Sequence, residues 1–402
     1  MPIRFLETTD AAALRARHAG LSPADAERLA AAADARVLIV DGPLSQTARG
    51  ALQAAGAVVA ADGALLLLAV TRAQALAARD HAPAELDPLL VALERAHALP
   101  PALRLRERVL DLRDQAQVMG IVNLTPDSFY ERVDGVAAAL EKARGIVADG
   151  AALIDLGGQS YAHWNAPVAP ELERERVVPA VRALAAAKLD VAISVDTFTA
   201  SVADAALAAG AHLINDCSGL ADPALAPVVA AHGAGLVVMH LRGELNVRAP
   251  ERYVYSDVLA EIVDFLYART ERALACGVAR EAIAIDPGLE FGKEPATDLE
   301  ILERFGELRA LGYPILFASS RKSFIGRIFG RPAKELLVPS LATAALGIAA
   351  GARLLRVHDV AETVQLARMM AAVAPERRAA LPLAAAMPGT PVPGNPADPP
   401  AV

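Results

Sequence analysis

The chain has two cysteines and one tryptophan, and aromatic residues make up only 4% of its 402 positions. Cys217 and Cys276 form no C-x-x-C pair and no disulfide framework, so they read as small buried hydrophobes in a reducing compartment. Excess positive charge is also missing. A net charge of -8 and a pI near 5.6 leave no general basic field, which argues against nucleic acid or an anionic membrane as partners. Any anionic ligand must then be met by locally placed cations. Long apolar runs are lacking as well. Ala64 to Val70 and Leu341 to Ala350 are too short or too Gly-broken to cross a bilayer. The opening M-P-I-R-F-L-E-T-T-D has no signal-peptide core, so a cytoplasmic location is expected.

What is present is a large apolar content, 54%, enough for a sizeable core although alanine inflates it. The length suits one large domain and a smaller one. Residues 1–112 read as a small α/β domain of unknown role, with helices at Asp10 to His18, Ser22 to Ala33, Gln46 to Ala55, Thr71 to Arg79 and Glu85 to Ala98. In the second of these, Ser22 is a natural N-cap and Pro23 suits the first helical position. Val37 to Val40 and Ala64 to Val70 read as its strands, and Leu103 to Gln117 as a charged connector.

Residues 113–385 repeat strand, polar loop and amphipathic helix. The strands read are Val118 to Val122, Ala152 to Leu156, Val191 to Val195, His212 to Asn215, Gly235 to Met239, Ala282 to Ile285, Pro314 to Phe317 and Leu354 to Val357. Eight such units in about 260 residues predict a (β/α)8 TIM barrel. An open doubly wound sheet is disfavoured because no G-x-G-x-x-G turn follows the first strand. Asp359-Val-Ala-Glu has the spacing of a capping box for the last helix, and 386–402 is a Pro-rich tail expected to be disordered.

Almost every barrel strand turns polar at its C-terminal end, where such barrels carry their active sites. Strand one delivers Asn123 and Asp127, strand two Asp155, strand three Asp196, strand four Asn215, strand five Met239 and His240, and strand six Asp286, with Phe291 and Lys293 in its loop. Three groupings emerge. Asp196, Asn215 and Asp286 suit an aminopyrimidinone ring, whose adjacent N–H and NH2 donors one carboxylate can accept together. Met239 and Phe291 would supply apolar faces for it. Asn123, Arg356 and His358 suit a diphosphate, with Asn123 able to ligate a hard cation such as Mg²⁺. Arg356 and His358, two apart on one strand, point the same way. Ser320-Arg-Lys-Ser-Phe, at a helix start, reads as an anion seat, with Lys322 over the pocket.

The ordered set N-x-T-P-D-S-F, I-D-x-G-G, S-x-D-T, I-N-D-x-S-G, M-H, D-P-G-x-x-F-G-K, S-R-K-S and R-V-H-D closely resembles the dihydropteroate synthase family over residues 117 to about 373. The resemblance implies a pterin-binding transferase of folate synthesis, joining a pterin methyl diphosphate to 4-aminobenzoate. It assigns Asp196, Asn215, Met239, Asp286, Phe291 and Lys322 to the pterin and Asn123, Arg356 and His358 to the diphosphate and its Mg²⁺. It places Ser323 on the benzoate carboxylate; Tyr161, at the position of a family Thr, is read as a second acceptor contact. Lys322, Arg356, His358 and Asp196 are the expected catalytic set. A homodimer stays open.

Departures fall in two loops. Tyr130-Glu-Arg-Val stands where the family reads S-D-G-G, and Gly158-Gln-Ser-Tyr-Ala-His-Trp where it reads G-E-S-T-R-P-G. Ala318 and Pro339-Ser340 replace a family glycine and a G-S or G-T pair. These changes leave two alternatives: a paralogue using another amine, with Tyr161, His163 and Trp164 lining an altered pocket, or a non-catalytic pterin-binding protein. A pterin-dependent methyl-transfer protein would not need Arg356, His358 and S-R-K-S.

Overall fold

The computed structural model describes residues 3–6, 14, 18, 20–32, 36–41, 44–62, 65–97, 100, 102–125, 133–161, 167–245 and 253–373. The expected Pro-rich tail, the altered segment at 130–132, and Ala162, His163 and Trp164 lie outside them, as do Asp127 and most of the expected helix from Asp10 to His18.

The N-terminal part is an antiparallel sheet ordered β1-β2-β4-β3, formed by Ile3–Leu6, Arg36–Asp41, Leu65–Val70 and Val58–Asp62. Period-two alternation splits its side chains between two cores. Leu38, Val40, Leu66 and Leu68 meet the helices Gln46–Ala54, Arg72–Arg79 and Pro83–His97. Ile39, Leu67 and Ala69 face Leu21, Ala26 and Leu29, around the helix Pro23–Ala30. Ser22 caps that helix as expected, accepting from the Asp25 N–H at 3.1 Å. Sequence reasoning missed β1 and β3.

The segment read as a charged connector is instead a hairpin, β5 (Ala102–Leu105) with β6 (Arg108–Asp111). Its charged residues point outward, Arg104 to Glu281 and Arg108 to Asp190. Leu103, Leu105 and Leu112 turn inward onto Met119, Leu153, Ala192, Leu213 and Leu354, which lie at the N-terminal ends of the barrel strands. The hairpin therefore fills the barrel floor. Leu105 sits so close to Gly235 that a Cβ there would come within 2.5 Å of it.

The barrel strands are β7 (Gln117–Asn123), β8 (Leu153–Gly157), β9 (Ala192–Asp196), β10 (Leu213–Asp216), β11 (Gly235–Met239), β12 (Ile283–Asp286), β13 (Leu316–Phe317) and β14 (Leu354–Val357). All their pairings are parallel, and a bridge between Ile285 and Ile315 closes the ring between β12 and β13. This is the expected (β/α)8 barrel. Among the described residues no helix is long and apolar enough to cross a membrane.

Candidate active site

The C-terminal strand ends surround a cavity of about 1140 Å³. It is lined by Asn123, Tyr161, Asp196, Asn215, Met239, Asp286, Phe291, Lys322, Ser323, Arg356 and His358, so these residues expected from the sequence meet in one space.

At its base Arg356 bridges two carboxylates. Nε donates to Asp155 Oδ2 at 2.6 Å and Nη2 to Asp196 Oδ2 at 2.7 Å. Asp155 also accepts from Ser194 Oγ and from Asn215 Nδ2, the latter at 3.1 Å. Burial opposes the Arg356 charge, but Asp155 and Asp196 more than offset it. Burial pushes the Asp196 carboxyl up, while Arg356 pulls it down. Beyond the diphosphate and catalytic roles expected of Arg356, its guanidinium braces Asp155 and Asp196, because two buried acids demand a cation. Only Nη1 has no protein partner among the described residues. Asp155, a visible strand-end acid, had been given no role.

Cys217 also belongs here. Its thiol donates to Asp196 Oδ1 at 3.2 Å, and burial pushes its pKa well up, so it acts as a polar donor and not only as a small hydrophobe. Tyr161 leans on the same strand end, donating to the Asp196 carbonyl at 3.1 Å, with its ring 5.8 Å from that of Phe198.

Across the cavity, Asp286 Oδ1 accepts the Gly288 N–H at 2.7 Å, and Lys322 Nζ donates to Leu289 O at 2.7 Å, 5.1 Å from the Phe291 ring centroid. Burial raises the Asp286 pKa and Lys322 counters it. The helix Ser323–Phe329 begins as expected, but its start is not an open anion seat: the Phe324 N–H already donates to Glu290 Oε1 at 2.7 Å. Asp359 departs from its expected capping role too, since both its oxygens accept from Arg321, at 2.8 and 2.6 Å. The His358 N–H donates to Ser320 Oγ at 3.2 Å, and its Nδ1 lies 3.1 Å from the same oxygen; with Ser320 as the donor of that second bond, the ring proton sits on Nε2. Burial, then Arg356, pulls His358 down to about 3, so its ring is neutral.

Behind this wall Glu173, fully buried, accepts from Gln159 Nε2 at 3.2 Å, and burial lifts its pKa to about 7. A carboxyl raised in the fold costs stability increasingly as pH climbs from its unfolded value through the folded one. Glu173→Gln is therefore expected to stabilise the protein at pH 8, by up to about 3 kcal/mol, and to do nothing at pH 4. Urea unfolding at the two pH values checks this, and an equal gain at both would show that charge is not the cause.

Among the described residues no three His, Cys, Asp or Glu side chains gather as a metal cage. Asn123 offers a single neutral oxygen donor at the end of β7. A neutral oxygen is a donor that a hard cation such as Mg²⁺ accepts, and Mg²⁺ keeps several waters and binds readily through phosphates.

The family model for pterin binding enzymes matches residues 119–358. The chain is 39% identical over 280 residues to the dihydropteroate synthase of Bacillus subtilis, spanning 69% of this chain and 93% of that one. It is 44% identical over 266 residues to a Mycobacterium tuberculosis protein named inactive dihydropteroate synthase 2, with coverage of 65% and 83%. Among solved structures, the Yersinia pestis dihydropteroate synthase in a sulfonamide drug complex gives a TM-score of 0.65 at 38% identity, covering 67% of this chain and 98% of that one. The Thermus thermophilus dihydropteroate synthase in complex with 4-aminobenzoate gives 0.60 at 39% identity, covering 68% and 100%.

Proposed function

The chain belongs to the dihydropteroate synthase family, a family of pterin-binding transferases, and from that premise we propose that it condenses 6-hydroxymethyl-7,8-dihydropterin diphosphate with 4-aminobenzoate and releases diphosphate. The observation that carries this reading is the meeting of Asp196, Asn215, Asp286 and Lys322 with Asn123, Arg356 and His358 around one cavity. Asp286 accepts the ring N–H and exocyclic NH2, and Lys322 neutralises it and faces the ring carbonyl. Met239 and Phe291 bound the flat ring.

The diphosphate lies toward Asn123, the Nη1 of Arg356 and the Nε2–H of His358. Mg²⁺ on the diphosphate would supply charge neutralisation of the leaving group. The chain's own donors stabilise the same developing charge. An arylamine is already unprotonated at neutral pH and needs no strong base, so positioning carries much of the rate. Ser323, at the cavity's β13 side, would meet the benzoate carboxylate.

A second reading is a paralogue with another amine, or a pterin binder without synthase turnover. What favours it is Tyr161, seated on Asp196 and Phe198, together with a relative named inactive at 44% identity. One assay separates the two: purified protein, pterin methyl diphosphate, Mg²⁺ and 4-aminobenzoate, following pteroate and diphosphate. Pteroate formation supports the synthase reading. Pterin binding without turnover supports the second.

In the same protein, His358→Ala is expected to weaken the diphosphate-bearing pterin about tenfold, through loss of one hydrogen bond to a charged group. The pterin lacking diphosphate should be spared. Equal losses in calorimetry would assign His358 to the fold.

A further inference from the structure

Lys293 lines this cavity and has so far been given no role. It lies in the loop after β12, and its amine has three polar partners: Gly288 O at 2.7 Å, Phe291 O at 3.0 Å and His240 Nδ1 at 2.9 Å. His240 ends the β11 segment, packed edge-on against Phe265 with ring centroids 4.9 Å apart. One half-buried amine, pulled down to about 7 by desolvation, therefore ties the β12 loop to the strand beside it.

The loop needs such a tie. Gly288, Glu290 and Gly292 all adopt positive φ, and Glu290 does so despite carrying a side chain. Gly288 passes so near β11 that a Cβ would stand 2.0 Å from the His240 carbonyl oxygen. A backbone held this far from relaxed geometry persists only where its surroundings over-determine it.

Everything on that side of the cavity is referenced to the loop. Gly288 donates its N–H to Asp286, Leu289 accepts from Lys322, Phe291 stands beside Lys322, and Glu290 caps Phe324. The three polar partners of the Lys293 amine are all protein atoms.

We propose that Lys293 is a positioning residue: its clamp on Gly288, Phe291 and His240 sets the placement of Asp286, Phe291 and Lys322, and so the affinity of the ring end of the site. This rests on the pterin reading of Asp286.

The test compares Lys293→Met, Asp286→Ala and the unchanged protein, each confirmed folded by near-UV circular dichroism. Calorimetry is run with 6-hydroxymethyl-7,8-dihydropterin and with its diphosphate. Lys293→Met is expected to lose about tenfold or more in affinity for both ligands, since the damage lies at the ring. A merely structural lysine would lower the melting temperature and leave the affinity of the folded protein unchanged, and that result overturns the proposal. Retained binding in Asp286→Ala would overturn the ring-site assignment instead, which keeps the two failures distinct. Should Lys293→Met not fold, the His240 variants decide. His240→Leu removes one acceptor and should weaken both ligands, while His240→Asn, which returns an acceptor near the Nδ1 position, should recover affinity. Equal affinity in the two would also overturn the proposal.

Discussion

Arg356→Met is expected to lower stability by about 3–5 kcal/mol at pH 8 and to abolish binding of the pterin with or without its diphosphate. The guanidinium is the only cation bridging Asp155 and Asp196 among the described residues, and both carboxylates are buried. Without it they remain as uncompensated anions, which costs far more than the pair itself contributes. The sign with pH follows. Burial already raises Asp196, and removing Arg356 raises it further, so protonation relieves the cost and the stability loss shrinks as pH falls toward 5. Chemical unfolding at pH 8 and pH 5 measures this. A loss of the same size at both values would mean that packing, not charge, is what Arg356 supplies. A loss confined to the diphosphate-bearing ligand would return Arg356 to the leaving group alone.

Asp286→Ala is expected to cost about 2–4 kcal/mol of affinity for the diphosphate-free pterin, because on the proposed reading two ring donors lose one shared acceptor. The change also strands the Gly288 N–H and leaves Lys322 near no carboxylate at that position. Calorimetry on the folded variant checks it. Unchanged affinity would remove Asp286 from the ring site and favour a purely structural acid.

The barrel was legible because its strands are apolar runs that turn polar at one end. Seven of them begin and end within one residue of the reading; β13 is shorter, since Ile315 makes only an isolated bridge to Ile285 and the ladder to β14 starts at Leu316. The hairpin was not legible. Its four-residue strands read A-L-R-L and R-V-L-D, and such short runs around Arg106 and Glu107 look like solvated chain. Alanine hid β3, whose V-V-A-A-D carries little strand signal.

At the site, residue types and positions could be read, but partners could not. Arg356 reaches Asp155 across 201 residues of sequence, and no spacing rule anticipates that. Asp359 shows the same limit from the other side. Local spacing cast it as a cap, and the long-range bond from Arg321 took both of its oxygens.

The hairpin floor makes the barrel a blind well. Leu103, Leu105 and Leu112 stop the lower end, so among the described residues the cavity lies on the side of the C-terminal strand ends alone. On the proposed reading, ring and amine would enter from that one side, and one would have to follow the other.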